Sequence, residues 1–159
     1  MNPHPTEPFT ANSQADTPSP AQDAQPRHLL LIEDDAEFRK LVGAHLRRAG
    51  FVVTECASGY AFVSGLNTFT NSPRPVDLII SDVRVPGLTG LEIVEGLRAL
   101  QIDVPVIFMT AYGDASTHQQ AQALKAIGTF DKPFDIEDLV TAVQMLLCPA
   151  AGPPRSARP

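Results

Sequence analysis

Three unbroken apolar runs, each stopped at once by a polar side chain, constrain the fold more than any other feature of this chain. They are Leu29–Ile32 before Glu33-Asp34-Asp35, Leu78–Ile80 before Ser81-Asp82, and Val106–Met109 before Thr110. Runs this short, with apolar residues at successive positions, fit strands of a parallel sheet that helices cover on both faces. The polar residues that follow them stand at the carboxyl ends of the strands, where α/β folds keep their chemistry.

The segments between these runs alternate with them. Strands are expected at 29–32, 51–56, 76–81, 104–109 and 126–130. After the first, Phe38, Leu41, Val42, His45 and Leu46 recur at helical spacing until Gly50 supplies a stop. Ser58 can cap a second helix carrying Tyr60, Phe62, Val63 and Leu66, which the loop 71–75 ends. A Pro86-Gly87 turn precedes a third helix over 90–100, with Leu91, Ile93, Val94, Leu97 and Leu100 available to the sheet. A polar helix over 114–125 and an amphipathic one over 135–147 complete a (βα)5 pattern, a three-layer α/β sandwich. Right-handed crossovers leave a few doubly wound orders, of which 2-1-3-4-5 suits five strands. That order brings Glu33, Asp34 and Asp82 together at the switch point, with Thr110 and Lys132 on the other side of Asp82.

A chain of 159 residues favours one domain. Ten of its 15 prolines lie in residues 1–26 or 149–159, where apolar periodicity is absent, so both ends read as disordered tails. The first 26 residues contain no Lys or Arg and no apolar run, unlike a signal peptide, and no stretch approaches a membrane span. Net charge is −6, and residues 27–148 carry 15 acids against 10 bases with no basic stripe, which argues against direct nucleic-acid binding. Cys56 and Cys148, far apart and among apolar neighbours, read as buried or half-buried thiols of a reducing, cytoplasmic compartment.

Carboxylates gathered as Glu33, Asp34 and Asp82 would repel one another unless a cation joins them or a proton is retained. An oxygen-rich cluster suits a hard divalent ion, and Mg2+ fits best because it takes one or two carboxylates, keeps waters and accepts phosphate oxygens. Asp34 and Asp82 are expected as direct ligands, with Glu33 acting through a water. Asp82 can then act as a nucleophile toward a phosphoryl group, with Lys132 and the Thr110 hydroxyl holding its oxygens. The backbone N–H groups of Val83 and Ala111 are expected to add hydrogen bonds. Asp35 reads as the N-cap of the first helix. His45 and His118 read as ordinary helical histidines.

The acidic pair Glu33-Asp34, the acceptor in Ser81-Asp82-Val83-Arg84-Val85-Pro86-Gly87, the pair Thr110-Ala111 and Lys132-Pro133-Phe134 resemble the receiver domain of two-component response regulators. The resemblance covers about residues 28–147 and places the domain at 27–148. It implies a flavodoxin-like fold and phosphotransfer to Asp82 from the phosphohistidine of a histidine kinase or phosphotransfer protein. It also implies slow self-dephosphorylation as the chain's own activity, Mg2+ dependence with the Arg84 backbone carbonyl as a further metal ligand, and a cis Lys132-Pro133 bond. A downstream protein would be met through residues 114–147, where Gln119, Gln120, Gln122, Lys125, Glu137 and Asp138 lie, by a monomer or weak dimer.

The chain departs from that family's pattern at three positions. Thr129 stands where the family usually carries Tyr or Phe, so switching is expected to rest on Thr110 and loop movement. Arg84 and Tyr112 occupy positions flanking the path of hydrolytic water, and their bulk is expected to lengthen the phosphoryl lifetime. No output module follows the pattern, which points to a single-domain regulator signalling by protein–protein contact. The alternatives are a phosphorelay intermediate or phosphate sink, and an unphosphorylated interaction module. A Mg2+-dependent aspartyl-phosphate hydrolase would need a carboxylate where Arg84 stands.

Overall fold

The computed structural model describes residues 25–111 and 113–148; the expected tails, apart from residues 25 and 26, and the expected role of Tyr112 fall outside the described residues. Strand and helix alternate through β1 (His28–Ile32), α1 (Ala36–Arg48), β2 (Val52–Cys56), α2 (Gly59–Thr70), β3 (Leu78–Asp82), α3 (Gly90–Ala99), β4 (Val106–Thr110), α4 (Ala115–Ala123), β5 (Gly128–Asp131) and α5 (Ile136–Leu147). The strands are parallel in the order β2-β1-β3-β4-β5, the doubly wound arrangement expected from the sequence.

The two-residue repeat of a strand divides the apolar runs between two cores. Leu29, Leu31, Leu78, Ile80, Ile107 and Met109 face α1 and α5, where Val42, Leu46, Leu139 and Val143 meet them. Leu30, Ile32, Ile79, Val106 and Phe108 face the other way, onto Phe62 of α2, Ile93, Val94 and Leu97 of α3, and Ala121 of α4. Every residue of β1, β3 and β4 is buried, which is why those strands read as unbroken apolar runs. β5 closes one edge of the sheet and is only half-buried.

Helix starts follow local chemistry. Asp35, Ser58, Thr89, Asp114 and Asp135 each accept backbone N–H groups of the first turn, so the expected caps at Asp35 and Ser58 are both present. Thr89 and Glu92 form a reciprocal capping box that fixes α3 directly after the turn carrying Gly87, whose φ of 93° suits glycine.

The strand starts differ from the sequence reading. β3 begins two residues after Val76 because the Asp77 carboxylate takes the His28 N–H at 2.8 Å and an Arg27 N–H at 3.0 Å, pinning the entry to the strand. β4 begins after Pro105, which has no N–H to give a ladder. Leu100, expected against the sheet, is the C-cap of α3 and is 61% exposed. Cys148, expected at least half-buried, is the exposed C-cap of α5, whereas Cys56 is buried. Among the described residues no helix is long and apolar enough to cross a membrane.

Candidate phosphoryl-acceptor site

The sheet delivers the site residues to one edge. Glu33 and Asp34 follow the last residue of β1, Asp82 and Thr110 are the last residues of β3 and β4, and Lys132 follows β5. The register sets Ile32 beside Ser81, Asp82 beside Met109, and Thr110 beside Asp131, so these strand ends lie level. Glu33, Asp82 and Thr110 are buried, with 1%, 6% and 1% exposure, while Asp34 is exposed. Carboxylate oxygens of Glu33, Asp34 and Asp82 lie within 4.8 Å of one another.

Lys132 crosses the cluster. Its ammonium donates to Glu33 Oε2 at 2.8 Å and to Asp82 Oδ2 at 2.5 Å, with 21% of the side chain exposed. The remaining Asp82 oxygen, Oδ1, accepts the Arg84 backbone N–H at 2.6 Å. Glu33 Oε1 accepts the Asp35 N–H at 3.2 Å, which ties the acidic pair to the start of α1. Behind the pair, Arg39 donates to the Glu33 carbonyl at 2.7 Å, and Glu55, which Arg47 also meets at 2.8 Å, lies 3.4 Å from Arg39 Nε. The acidic loop is thus anchored to β2 through its backbone, leaving the carboxylates facing the site.

Burial pushes the Glu33 carboxyl above its ordinary value; the Asp82 charge adds to this, and the hydrogen bond and charge of Lys132 oppose it without cancelling it. For Lys132, burial works to lower the pKa, but the hydrogen bonds and charges of Asp82 and Glu33 outweigh it and the net direction is upward. The ammonium therefore stays charged, and burial disfavours the charged form of Glu33.

The donor set fits a divalent cation. Three carboxylates against one ammonium leave a formal charge of −2 among hard oxygen donors, the composition that suits Mg2+. Glu33, Asp34 and Asp82 would hold it, and the oxygens of Asp34 are the exposed ones through which an ion could enter.

The expected site residues Glu33, Asp34, Asp82, Thr110 and Lys132 share this edge. Two details differ from the sequence reading. The Val83 N–H, expected to serve the site, is committed to the Met109 carbonyl at 2.8 Å as a continuation of the β3–β4 ladder. The amide that does reach Asp82 is that of Arg84. Strand alternation says only that successive amides point to opposite sides, and which of the two faces β4 is set by the ladder register. Close packing also holds the acceptor from behind: a Cβ on Gly90 would collide with the Asp82 carbonyl oxygen and would come within 2.6 Å of Ser81 Oγ.

Thr129 is half-buried and pairs with Phe108 across the sheet. Phe130 points to the α1/α5 core, where its ring lies 5.2 Å from that of Phe134. The Lys132-Pro133 bond is cis. His118 of α4 lies 3.1 Å from the Asp131 carboxylate, and Gln119, Gln120, Gln122, Lys125, Glu137 and Asp138 are exposed.

The response regulator receiver domain model matches residues 29–144. Sporulation initiation phosphotransferase F of Bacillus subtilis is 32% identical over 119 residues, covering 75% of this chain and 92% of that protein. The transcriptional regulatory protein FixJ of Bradyrhizobium diazoefficiens is 34% identical over 116 residues, covering 73% of this chain and 54% of that protein. The chain thus spans nearly all of one relative and about half of the other. The chemotaxis response regulator CheY4 of Vibrio cholerae superposes with a TM-score of 0.66 at 29% identity, covering 77% of this chain and 99% of that one. By the match over most of its length, and by the strand order and acidic edge already described, the chain belongs to the receiver domain family of two-component response regulators.

Proposed function

We propose that Asp82 takes up a phosphoryl group from the phosphohistidine of a histidine kinase or phosphotransfer protein, and that the phosphorylated chain signals by protein–protein contact as a single-domain regulator in the cytoplasm. The observation that carries this reading is Lys132, whose ammonium bridges Glu33 and Asp82 where β1, β3 and β5 end. A carboxylate oxygen of Asp82 attacks phosphorus, the phosphorus–nitrogen bond breaks, and the imidazole nitrogen of the donor leaves with the electron pair. Asp34 and Asp82, with the Arg84 carbonyl and with Glu33 acting through a water, would hold Mg2+, which would supply positive charge to the phosphoryl oxygens. Lys132 shifts its hydrogen bond from Asp82 to a phosphoryl oxygen, and the Thr110 hydroxyl takes another. The Arg84 amide, already on Asp82 Oδ1, keeps the carboxylate from rotating during attack.

Residues 114–147 form the output surface in this reading, with the exposed glutamines of α4 as its polar contacts. Thr129 leaves no aromatic ring to turn inward, so the switch runs through Thr110 and the loop after β4. Arg84 and Tyr112 slow the approach of water to the phosphoryl group. A second reading, a phosphorelay intermediate, draws support from the near full-length match to a protein named a phosphotransferase. The lifetime of the adduct on a phosphate-affinity gel separates the two. Persistence for many minutes supports signalling, whereas decay within seconds, or quantitative passage to a phosphotransfer protein, supports the relay or sink.

A further inference from the structure

The site has a neighbour that the phosphoryl chemistry does not use. The Lys132 ammonium lies 4.6 Å from the centroid of the Phe38 ring, on the first turn of α1. An aromatic face attracts a cation at that distance through its quadrupole. Several local contacts hold the ring there. The Phe38 N–H donates to the Asp35 carboxylate at 3.0 Å, and the ring meets Phe134 edge-to-face at 5.9 Å. Phe134 in turn packs on Phe130 of β5. The lysine is fixed at its other end, since its N–H donates to the Thr110 carbonyl at 2.7 Å. Phe38 is only half-buried and borders a groove with Asp35, Lys132, Pro133 and Phe134, into which an unrestrained ammonium could swing.

We propose that Phe38 is a positioning residue for Lys132, its ring face holding the ammonium against Asp82 and out of the adjoining groove. The proposal rests on the phosphoacceptor reading above for its functional consequence but not for the contact itself. An ammonium has three N–H donors. Two go to Glu33 and Asp82, and the ring faces the same ammonium without offering a lone pair that would compete for the exchange onto a phosphoryl oxygen. A leucine at this position would fill much of the space and keep the core contact, but it has no quadrupole.

The test compares wild type, Phe38→Leu and Phe38→Tyr, each shown to be folded by urea unfolding. The first readout is the chemical shift of the Lys132 ε-methylene protons without any phosphodonor, which a ring above the ammonium displaces upfield. The second is the initial rate of adduct formation with acetyl phosphate and Mg2+. Phe38→Leu is expected to lose the upfield displacement and to slow about fivefold, the rate equivalent of ~1 kcal/mol of cation–π attraction. Phe38→Tyr keeps the ring and is expected to retain the shift and stay within about twofold of wild type. An unchanged Lys132 shift in Phe38→Leu overturns the contact. A changed shift with a wild-type rate, or a Tyr variant as slow as the Leu variant, overturns the positioning role. Failure of wild type to form an adduct would count against the phosphoacceptor reading instead, and the shift would still decide the contact.

Discussion

Replacing Lys132 by Met, which keeps length and apolar stem but removes the charge, leaves Glu33, Asp34 and Asp82 facing one another without their ammonium. Two charge-assisted hydrogen bonds are lost, at 2.8 Å to Glu33 and 2.5 Å to Asp82, and both carboxylates are buried. Removing one partner of a buried ion pair costs about 3–5 kcal/mol, and the exposed Asp34 and the partial exposure of Lys132 argue for the low end, about 3 kcal/mol near pH 8. Part of that cost can be relieved by a proton. Burial already raises the Glu33 carboxyl, and removing Lys132 deletes the largest influence that opposes it, leaving only the Asp35 N–H bond, so the raised pKa rises further. An acid whose pKa is higher folded than unfolded is bound more tightly to its proton in the folded state. Its destabilisation is therefore absent below the unfolded value, about 4.3, builds as pH rises from there toward the folded value, and is complete above it. The loss in Lys132→Met is expected to be smaller at pH 5 than at pH 8. Urea unfolding of both proteins in EDTA-treated buffer at the two pH values measures this, provided the slopes agree. A loss under about 1 kcal/mol at pH 8 would refute the account of Lys132 as the counter-charge of the cluster. So would a larger loss at pH 5 than at pH 8.

Gly90→Ala presses a methyl group against the Asp82 carbonyl and Ser81 Oγ, and because a strand end cannot yield cheaply it should cost about 2 kcal/mol in urea unfolding; a neutral substitution would mean that α3 is not packed on the acceptor. Glu92→Ala removes the carboxylate half of the capping box. The Thr89 backbone N–H and then its hydroxyl hold the Glu92 carboxyl below its ordinary value, so this stabilisation is present at neutral pH and lost as pH falls through the depressed folded value. The stability gap between wild type and Glu92→Ala should accordingly narrow in acid, and a constant gap would argue against the box. Cys56 is buried and its thiol is pushed up by that burial, with Arg39 opposing, whereas Cys148 is exposed. Intact mass after brief alkylation should show one label on the native chain and two in urea; two labels at once on the native chain would contradict the packing of β2.

How far the sequence could be read depended on whether a residue's neighbours were local. β1, β3 and β4 were legible because both faces of each are buried, which leaves a run of apolar residues with no other reading at that length. Chirality and topology narrowed the strand order to a few, and the order 2-1-3-4-5 among them is the one that brings Glu33, Asp82, Thr110 and Lys132 together. Strand starts were displaced at Val76 and Val104, where a carboxylate from Asp77 and the ring of Pro105 decide the ladder. Exposure at the helix ends was misread for a related reason. Leu100 and Cys148 continue an apolar rhythm but occupy C-caps, where the backbone leaves the helix and carries the side chain outward. Within the site, residue types were legible and their pairings were not. That the Arg84 amide, rather than that of Val83, meets Asp82 depends on which side of β3 continues into the β4 ladder. Phe38 was legible as an apolar helix position, but its ring beneath Lys132 joins residues 94 positions apart and has no local signal.

The most direct test of the central claim is intact mass of wild type and Asp82→Asn after incubation with acetyl phosphate, in Mg2+ and in EDTA. A phosphoryl adduct on wild type in Mg2+, absent from Asp82→Asn and from wild type in EDTA, is the predicted result. An adduct of equal yield on Asp82→Asn, or none on folded wild type with Mg2+ present, would contradict it.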